Sequence, residues 1–448
     1  MSSSLLADWR DRLTHRRVWA LAAPMILSNI SVPLVALVDS TVIGHLPHAH
    51  QLGAVAVGAS LYVFLAWMMG FLRMGTTGFA AQAAGRGDGT ALRQILLQGL
   101  SLSVLLSLFL GAIAIPFSGV ALSVMQPSAE LHALTLDFFH TRLFGLPGAL
   151  ATYALVGWFL GTQNARAPLA ILLTTNLVNI ALNLWFVLGL DWGVVGSARA
   201  SVIAEWSGAL LGLWLTRGAL RRFPGTVVWA ALRVWHNWKP LLGVNRDIFI
   251  RSLMLQSVFF LITLQGARLG DATVAANALL LNGLLLAAHA LDGLAHAVEA
   301  LCGHAIGARD RTALRRSMVV ASGWSLIASA GFAVLFLFGG HLFIAMQTDI
   351  PSVRDTAFQY VPYLALLPLI AVWSYLLDGL FIGATRAREM RNAMVISVII
   401  ALPVAWALHQ YGNHGLWISF LLFMVLRSVT LGAYAWHMQR KDEWFHPR

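Results

Sequence analysis

Residues 153–167, YALVGWFLGTQNARA, return as residues 375–389, YLLDGLFIGATRARE, displaced by 222 positions. Tyr153, Gly157, Phe159, Gly161, Ala165 and Arg166 thereby pair with Tyr375, Gly379, Phe381, Gly383, Ala387 and Arg388. A second stretch, GRGDGTALR at 85–93, returns as GARDRTALR at 307–315 with the same displacement. Two matches at one constant offset mark a tandem duplication, and 448 residues hold two copies of that period.

Composition says what each copy contains. The chain is 58% hydrophobic and 11% charged, where a soluble domain carries about a quarter of charged residues, so soluble globular, disordered and collagen-like classes are excluded. A transmembrane helix takes about 20 apolar residues, so this content supplies about twelve. Apolar stretches fall at about 18–43, 52–84, 94–120, 132–161, 168–190 and 194–216, then at about 248–269, 273–305, 314–345, 356–384, 392–411 and 414–438. None shows the alternating polarity of a membrane barrel strand. The sequence predicts an all-α membrane protein of twelve transmembrane helices in two six-helix bundles, 1–222 and 246–448. A linker at 223–245, carrying Arg233 and Lys239 among Trp229, Trp235 and Trp238, has the composition of a segment lying on the inner leaflet. Six spans per copy is an even number, so the copies are parallel repeats related by a pseudo-two-fold axis along the membrane normal, a plan that recurs in secondary transporters.

The net charge of +11 follows from topology rather than from nucleic-acid binding. Of the 30 Lys+Arg, 24 fall on the side of the two termini and only Arg268 and Arg354 on the other, which puts both termini in the cytoplasm by the positive-inside rule. The first apolar run, preceded by Arg10, Arg12, Arg16 and Arg17, is too long for a signal peptide and contains Pro24, Pro33 and Asp39, so it reads as a retained first helix. The single cysteine, Cys302, excludes an intrachain disulfide and a cysteine-based metal motif. With lysine only at 239 and 441, no phosphate-binding Walker loop exists, and no catalytic motif is found, so neither ATP-driven pumping nor an enzyme is expected.

Charged and polar groups inside the bilayer are costly and therefore mark function by default. Asp39 lies in the first span downstream of Pro24 and Pro33, each of which removes a helix hydrogen bond and permits a bend. A carboxyl in that setting can take up a proton. Asn176, Asn179 and Asn183 share one face of the fifth span, suited either to a hydrated cavity or cation site or to helix-to-helix hydrogen bonding. His289, Asp292, His296 and Glu299 form an ionisable stripe on the eighth span that can relay protons or ligate a divalent metal. Asp378 and Glu205 are further candidates, or else partners of intramembrane arginines such as Arg73 and Arg427.

VPLVALVDSTVIGHL at 32–46, FLRMGTTGFAAQAAG at 71–85, ALDGLAHAVEALCGHAIGARD at 290–310 and YLLDGLFIGATRAREMRNAM at 375–394 resemble the multidrug and toxic compound extrusion (MATE) family, and most of all its DinF branch in bacteria. The resemblance runs over essentially the whole chain. It implies two six-helix lobes in a V shape, alternating access, and export of cationic and other amphipathic compounds in exchange for H+ or Na+, with no other cofactor. It also implies that Asp39 is the protonation site, with bending at Pro24. The family's Asn-x-x-x-Asp pair falls on Asn179 and Asn183, so asparagine stands where aspartate is usual. The carboxy-lobe cation pair falls on Gln256 and Asp378, with glutamine in place of glutamate. Both departures remove carboxylates from candidate Na+ sites.

The expectation is a proton-coupled exporter of small amphipathic organic compounds in the bacterial inner membrane, with the lipid bilayer as its setting, no nucleic acid and no obligate protein partner. Rival expectations are Na+-coupled efflux, a flippase for lipid-linked saccharides, and a divalent-metal transporter built on the eighth-span stripe.

Overall fold

The computed structural model describes the backbone at 2–44, 49–125 and 128–445, and the side chains there except at 2–4, 32–40, 43–44, 49, 121 and 124–125. Among the described residues there is no strand. Helices α1 (Ser2–Trp9) and α2 (Arg12–Gly44) are followed by α3 (Ala49–Met68), α4 (Phe71–Gly85), α5 (Gly89–Met125), α6 (Ala129–Leu143), α7 (Leu146–Gly161), α8 (Arg166–Asn183) and α9 (Gly193–Leu220). A short α10 (Trp229–Arg233) leads to α11 (Lys239–Arg268), α12 (Asp271–Gly307), α13 (Arg311–Ala345), α14 (Pro351–Gly383), α15 (Ala387–Leu408) and α16 (Gly412–Arg440). Among the described residues, eight helical stretches are long and apolar enough to cross a membrane. One of them, 387–440, is 54 residues long and holds two spans, α15 and α16, and the bent pair α6–α7 supplies a further span. With α2 and α9, which carry charged residues, these make twelve segments, six in each copy.

The repeat is legible in the backbone. Gly87 and Arg309, 222 residues apart, both take positive φ (69° and 56°), as do Gln163 and Thr385 (58° and 56°). The Asp88 carboxylate accepts from the Ala91 N–H at 2.9 Å, and the Asp310 carboxylate from the Ala313 N–H at the same distance, so both copies restart their third helix with an aspartate cap. The repeated glycines bring helix backbones together. A Cβ on Gly379 would sit 2.6 Å from the Ala295 carbonyl oxygen, and one on Gly157 would strike the carbonyl of Arg73, the repeat mate of Ala295. Gly161 and Gly383 repeat the pattern one turn on, which is small-xxx-small packing of α7 on α4 and of α14 on α12. The copies differ at α6–α7, which bends by 45° at Phe144–Gly145, where a Cβ would strike the Glu205 carboxylate.

Two compact units result, Leu27–Leu242 and Met1–Ile26 with Gly243–Arg448. The first has a core of Leu92, Trp158, Phe159 and Ile171; the second, of Leu280, Phe336, Leu364, Trp417 and Phe423. The first 26 residues thus pack with the second copy, for local reasons. Buried Asp8 pairs with Nε of Arg315 at 2.7 Å and of Arg316 at 3.3 Å, the Trp9 ring covers Gly323, and Trp324 Nε1 donates to His15 at 2.9 Å. The change of unit falls inside α2, two residues after Pro24.

Candidate functional site

In the Leu27–Leu242 unit, α8 presents its amides at helical spacing. Asn176 donates to Ser31 Oγ of α2 at 2.7 Å, Asn179 donates to Ser201 Oγ of α9 at 2.9 Å, and Asn183 donates to Asn179 Oδ1 at 3.2 Å. Asn179 and Asn183 are buried, and each hydrogen bond either ties α8 to a neighbour or holds the next amide. A π-helical turn, Leu184–Gly189, follows directly. Ser31 stands two residues before Pro33 and eight before Asp39, so the amide stripe grips the first helix about two turns from the candidate acid. Asp39 and Pro33 lie within α2, but their side chains are outside the described residues; Pro24 is half-buried in the same helix.

Glu205 is held by a cation and a phenol. Arg142 donates to it at 2.9 Å, Tyr62 donates to both of its oxygens at 3.0 Å, and the Arg142 guanidinium stacks 3.9 Å over the Tyr62 ring. Tyr153 of the repeated motif lies within the electrostatic range of Glu205 and Arg73.

The second unit answers with the same plan and inverted sign. Arg427 is the 222-residue mate of Glu205; only 1% exposed, it donates from Nη2 to Asp378 Oδ2 at 2.8 Å. Arg251 Nη2 donates to that same oxygen. One carboxylate thus holds two guanidiniums, and Oδ1 of Asp378 and Nε of each arginine are buried without a hydrogen-bond partner. Tyr375, the mate of Tyr153, feels the charges of Asp292, Arg427, Asp378 and Arg251, a set whose formal sum is zero. Of the pairings open to Asp378, the one with Arg427 is realised. Arg251 was missed because it stands at the edge of an apolar run beginning near 248, where it reads as a flanking cytoplasmic charge. The helix starts nine residues earlier than the apolar run, at Lys239, and carries Arg251 inside. Removing it from the loop tally leaves the charge bias intact.

The stripe on α12 does not close into a metal site. His289 to Glu299 spans ten residues, about 15 Å along a helix. Among the described residues no group of three or more His, Cys, Asp or Glu is placed to hold a metal ion. His289 and Asp292 are half-buried, with His289 Nδ1 2.7 Å from the Leu285 carbonyl, whereas His296 and Glu299 are buried. Of the four, Asp292 joins the charge cluster around Tyr375. Gln256 is half-buried on α11, five residues beyond Arg251.

The MatE family model matches residues 24–185 and 248–407, one match on each copy of the repeat. The chain belongs to the MatE family. It is 42% identical to DNA damage-inducible protein F of Escherichia coli K12, over 96% of this chain and 94% of that one. It is 27% identical to a probable multidrug resistance protein NorM of Xanthomonas axonopodis pv. citri, over 93% of each. In fold it matches a crystal structure of MATE in the bent conformation, with a TM-score of 0.85 at 17% identity over 98% of both chains. Membership in the MatE family agrees with the two-copy architecture, since the family model falls once on each copy. The pairing of Asp378 with two arginines is read from this chain's own side chains.

Proposed function

We propose that the chain is a secondary transporter, not an enzyme, that exports small amphipathic organic compounds, cations among them, from the cytoplasm by exchange for protons, with Asp39 as the proton carrier. Its place is the bacterial inner membrane with both termini cytoplasmic. The family and the multidrug resistance name of the Xanthomonas relative support the efflux class. The observation that carries the choice of coupling ion is the double guanidinium clamp on Asp378. A Na+ ion at that carboxylate would have to displace two fixed cations in a buried setting, and glutamine at 256 supplies no second charge. With asparagine at 183, the amino-terminal unit keeps Asp39 as its acid on the first and fifth spans.

The mechanism follows from charge. Ionised Asp39 favours a cationic substrate; protonation removes that attraction, so proton and substrate disfavour each other, as antiport requires. Pro24, beside the point where α2 passes from one compact unit to the other, provides the bend, and the Asn176–Ser31 bond couples the first helix to the amide stripe. Reconstituted protein with an imposed pH gradient tests the proposal. Wild type moves a fluorescent organic cation against its gradient, and Asp39→Asn does not; equal transport by both removes Asp39 from the mechanism.

A further inference from the structure

Between α11, α15 and α16 lies a cavity of about 600 Å³, the size of a drug-like ligand site. Its walls are apolar, with Val258, Ile262, Leu402, Phe420 and Phe423 among them. Of its polar groups, Gln265, Arg268 and His409 lie at the end where α11 and α15 finish, beside Trp406, while the Ser419 hydroxyl donates to the Gly415 carbonyl of its own helix. Among the described residues, no carboxylate lines it. Arg268 is exposed and makes neither a hydrogen bond nor an ion pair among the described residues. Asp271, three residues on at the start of α12, is exposed and does not pair with it. Among the described residues, Arg268 is the formally charged side chain of the lining.

We propose that this cavity binds a single-tailed amphipathic anion, its hydrocarbon body between α11 and the α15–α16 pair and its carboxylate on Arg268. A guanidinium matches a carboxylate with two parallel hydrogen bonds, and Trp406 provides an amphipathic rim where body meets head. The volume suits one chain or one drug-sized ring system rather than a two-chain phospholipid. The lining belongs wholly to the Gly243–Arg448 part of the second unit, and the inference does not rest on the choice of coupling ion.

The test is photolabelling of the full chain in phosphatidylcholine nanodiscs with a diazirine-bearing fatty acid and with its matching alcohol, the labelled peptides being mapped by mass spectrometry. The fatty acid labels the 258–268 and 398–409 peptides about fivefold more than the alcohol, the effect of one partly solvated ion pair. Arg268→Gln brings the two probes level, and Ala405→Trp, which fills the cavity, lowers both. Burial of Cys302 against a thiol reagent verifies that each variant is folded. Equal labelling by acid and alcohol in wild type, insensitivity to Arg268→Gln, or displacement of the label by phosphatidylglycerol each overturns the proposal, the last by showing a phospholipid site.

Discussion

Deleting one member at a time from the Arg251–Asp378–Arg427 clamp should produce unequal damage, in an order set by which charge is left alone. Arg427→Met removes one charge-assisted hydrogen bond but leaves Asp378 paired with Arg251, so the loss is about 2 kcal/mol. Asp378→Asn leaves two buried guanidiniums facing a neutral amide, with Asp292 as the remaining anion in range, and costs about 4 kcal/mol, as removing one partner of a buried ion pair does. For a unit of roughly 230 residues these are drops in melting temperature of about 4–8 °C and about 8–16 °C. The assay is built into the chain. Cys302, the single cysteine, is fully buried on α12 within the affected unit, so a thiol-reactive fluorogenic dye reports unfolding there. If Asp378 were an open cation ligand, Asp378→Asn would be close to neutral and Arg427→Met harmless. Either that pattern, or greater damage from Arg427→Met than from Asp378→Asn, refutes the clamp.

Three further outcomes are expected. Gly379→Ala, which would press a methyl group within 2.6 Å of the Ala295 carbonyl, should cost about 1–3 kcal/mol in the same dye assay, whereas Gly331→Ala in the same unit, with nothing within 4 Å, should not lower the melt. Asn179→Leu removes the donor to Ser201 and the acceptor for Asn183, and should destabilise by about 1 kcal/mol; combined with Ser201→Ala the losses should fall short of additive. Thr14, donating to Asp11 at 2.5 Å, and the Arg316 charge at 3.9 Å hold the Asp11 carboxyl below its usual range against the effect of burial. Its contribution to docking of the first residues on α13 is therefore present above about pH 4 and lost as the pH falls through its lowered folded value. Quenching of tryptophan fluorescence from the Trp9–Trp324 pair, titrated from neutral to about pH 2.5, should rise in wild type at a lower pH than in Thr14→Val.

Much of this architecture is written in local pattern. The GxxxG spacing at 157–161 and 379–383 and the aspartates at 88 and 310 carry their own physical reasons, close backbone approach and helix capping, and the structure uses them for both. Other features depend on partners distant in sequence. The left-handed turns at Arg309, Gln163 and Thr385 carry no glycine to announce them. The bend at Phe144–Gly145 depends on Glu205, and the docking of residues 1–26 on the second copy depends on Arg315, Arg316 and Trp324. Arg251 shows the limit most clearly. A charge near the end of an apolar run reads as a flank until the helix is seen to begin well before the run does. The amide stripe of α8 reads from sequence either as a cavity wall or as a set of interhelical bonds; in the structure Asn176 and Asn179 bond to neighbouring helices, whereas Asn183 bonds to Asn179 within α8.

The central claim, that a proton rather than Na+ is exchanged for substrate through Asp39, is tested most directly by proton release on binding. Purified chain in weakly buffered, Na+-free detergent solution, held near the pH at which Asp39 is half protonated and mixed with an organic cation, should liberate protons detectable by a pH dye; Asp39→Asn should bind the cation more weakly and liberate none. Added Na+ should leave both unchanged. Binding without proton release in wild type, or release that Na+ alone elicits, would contradict the account.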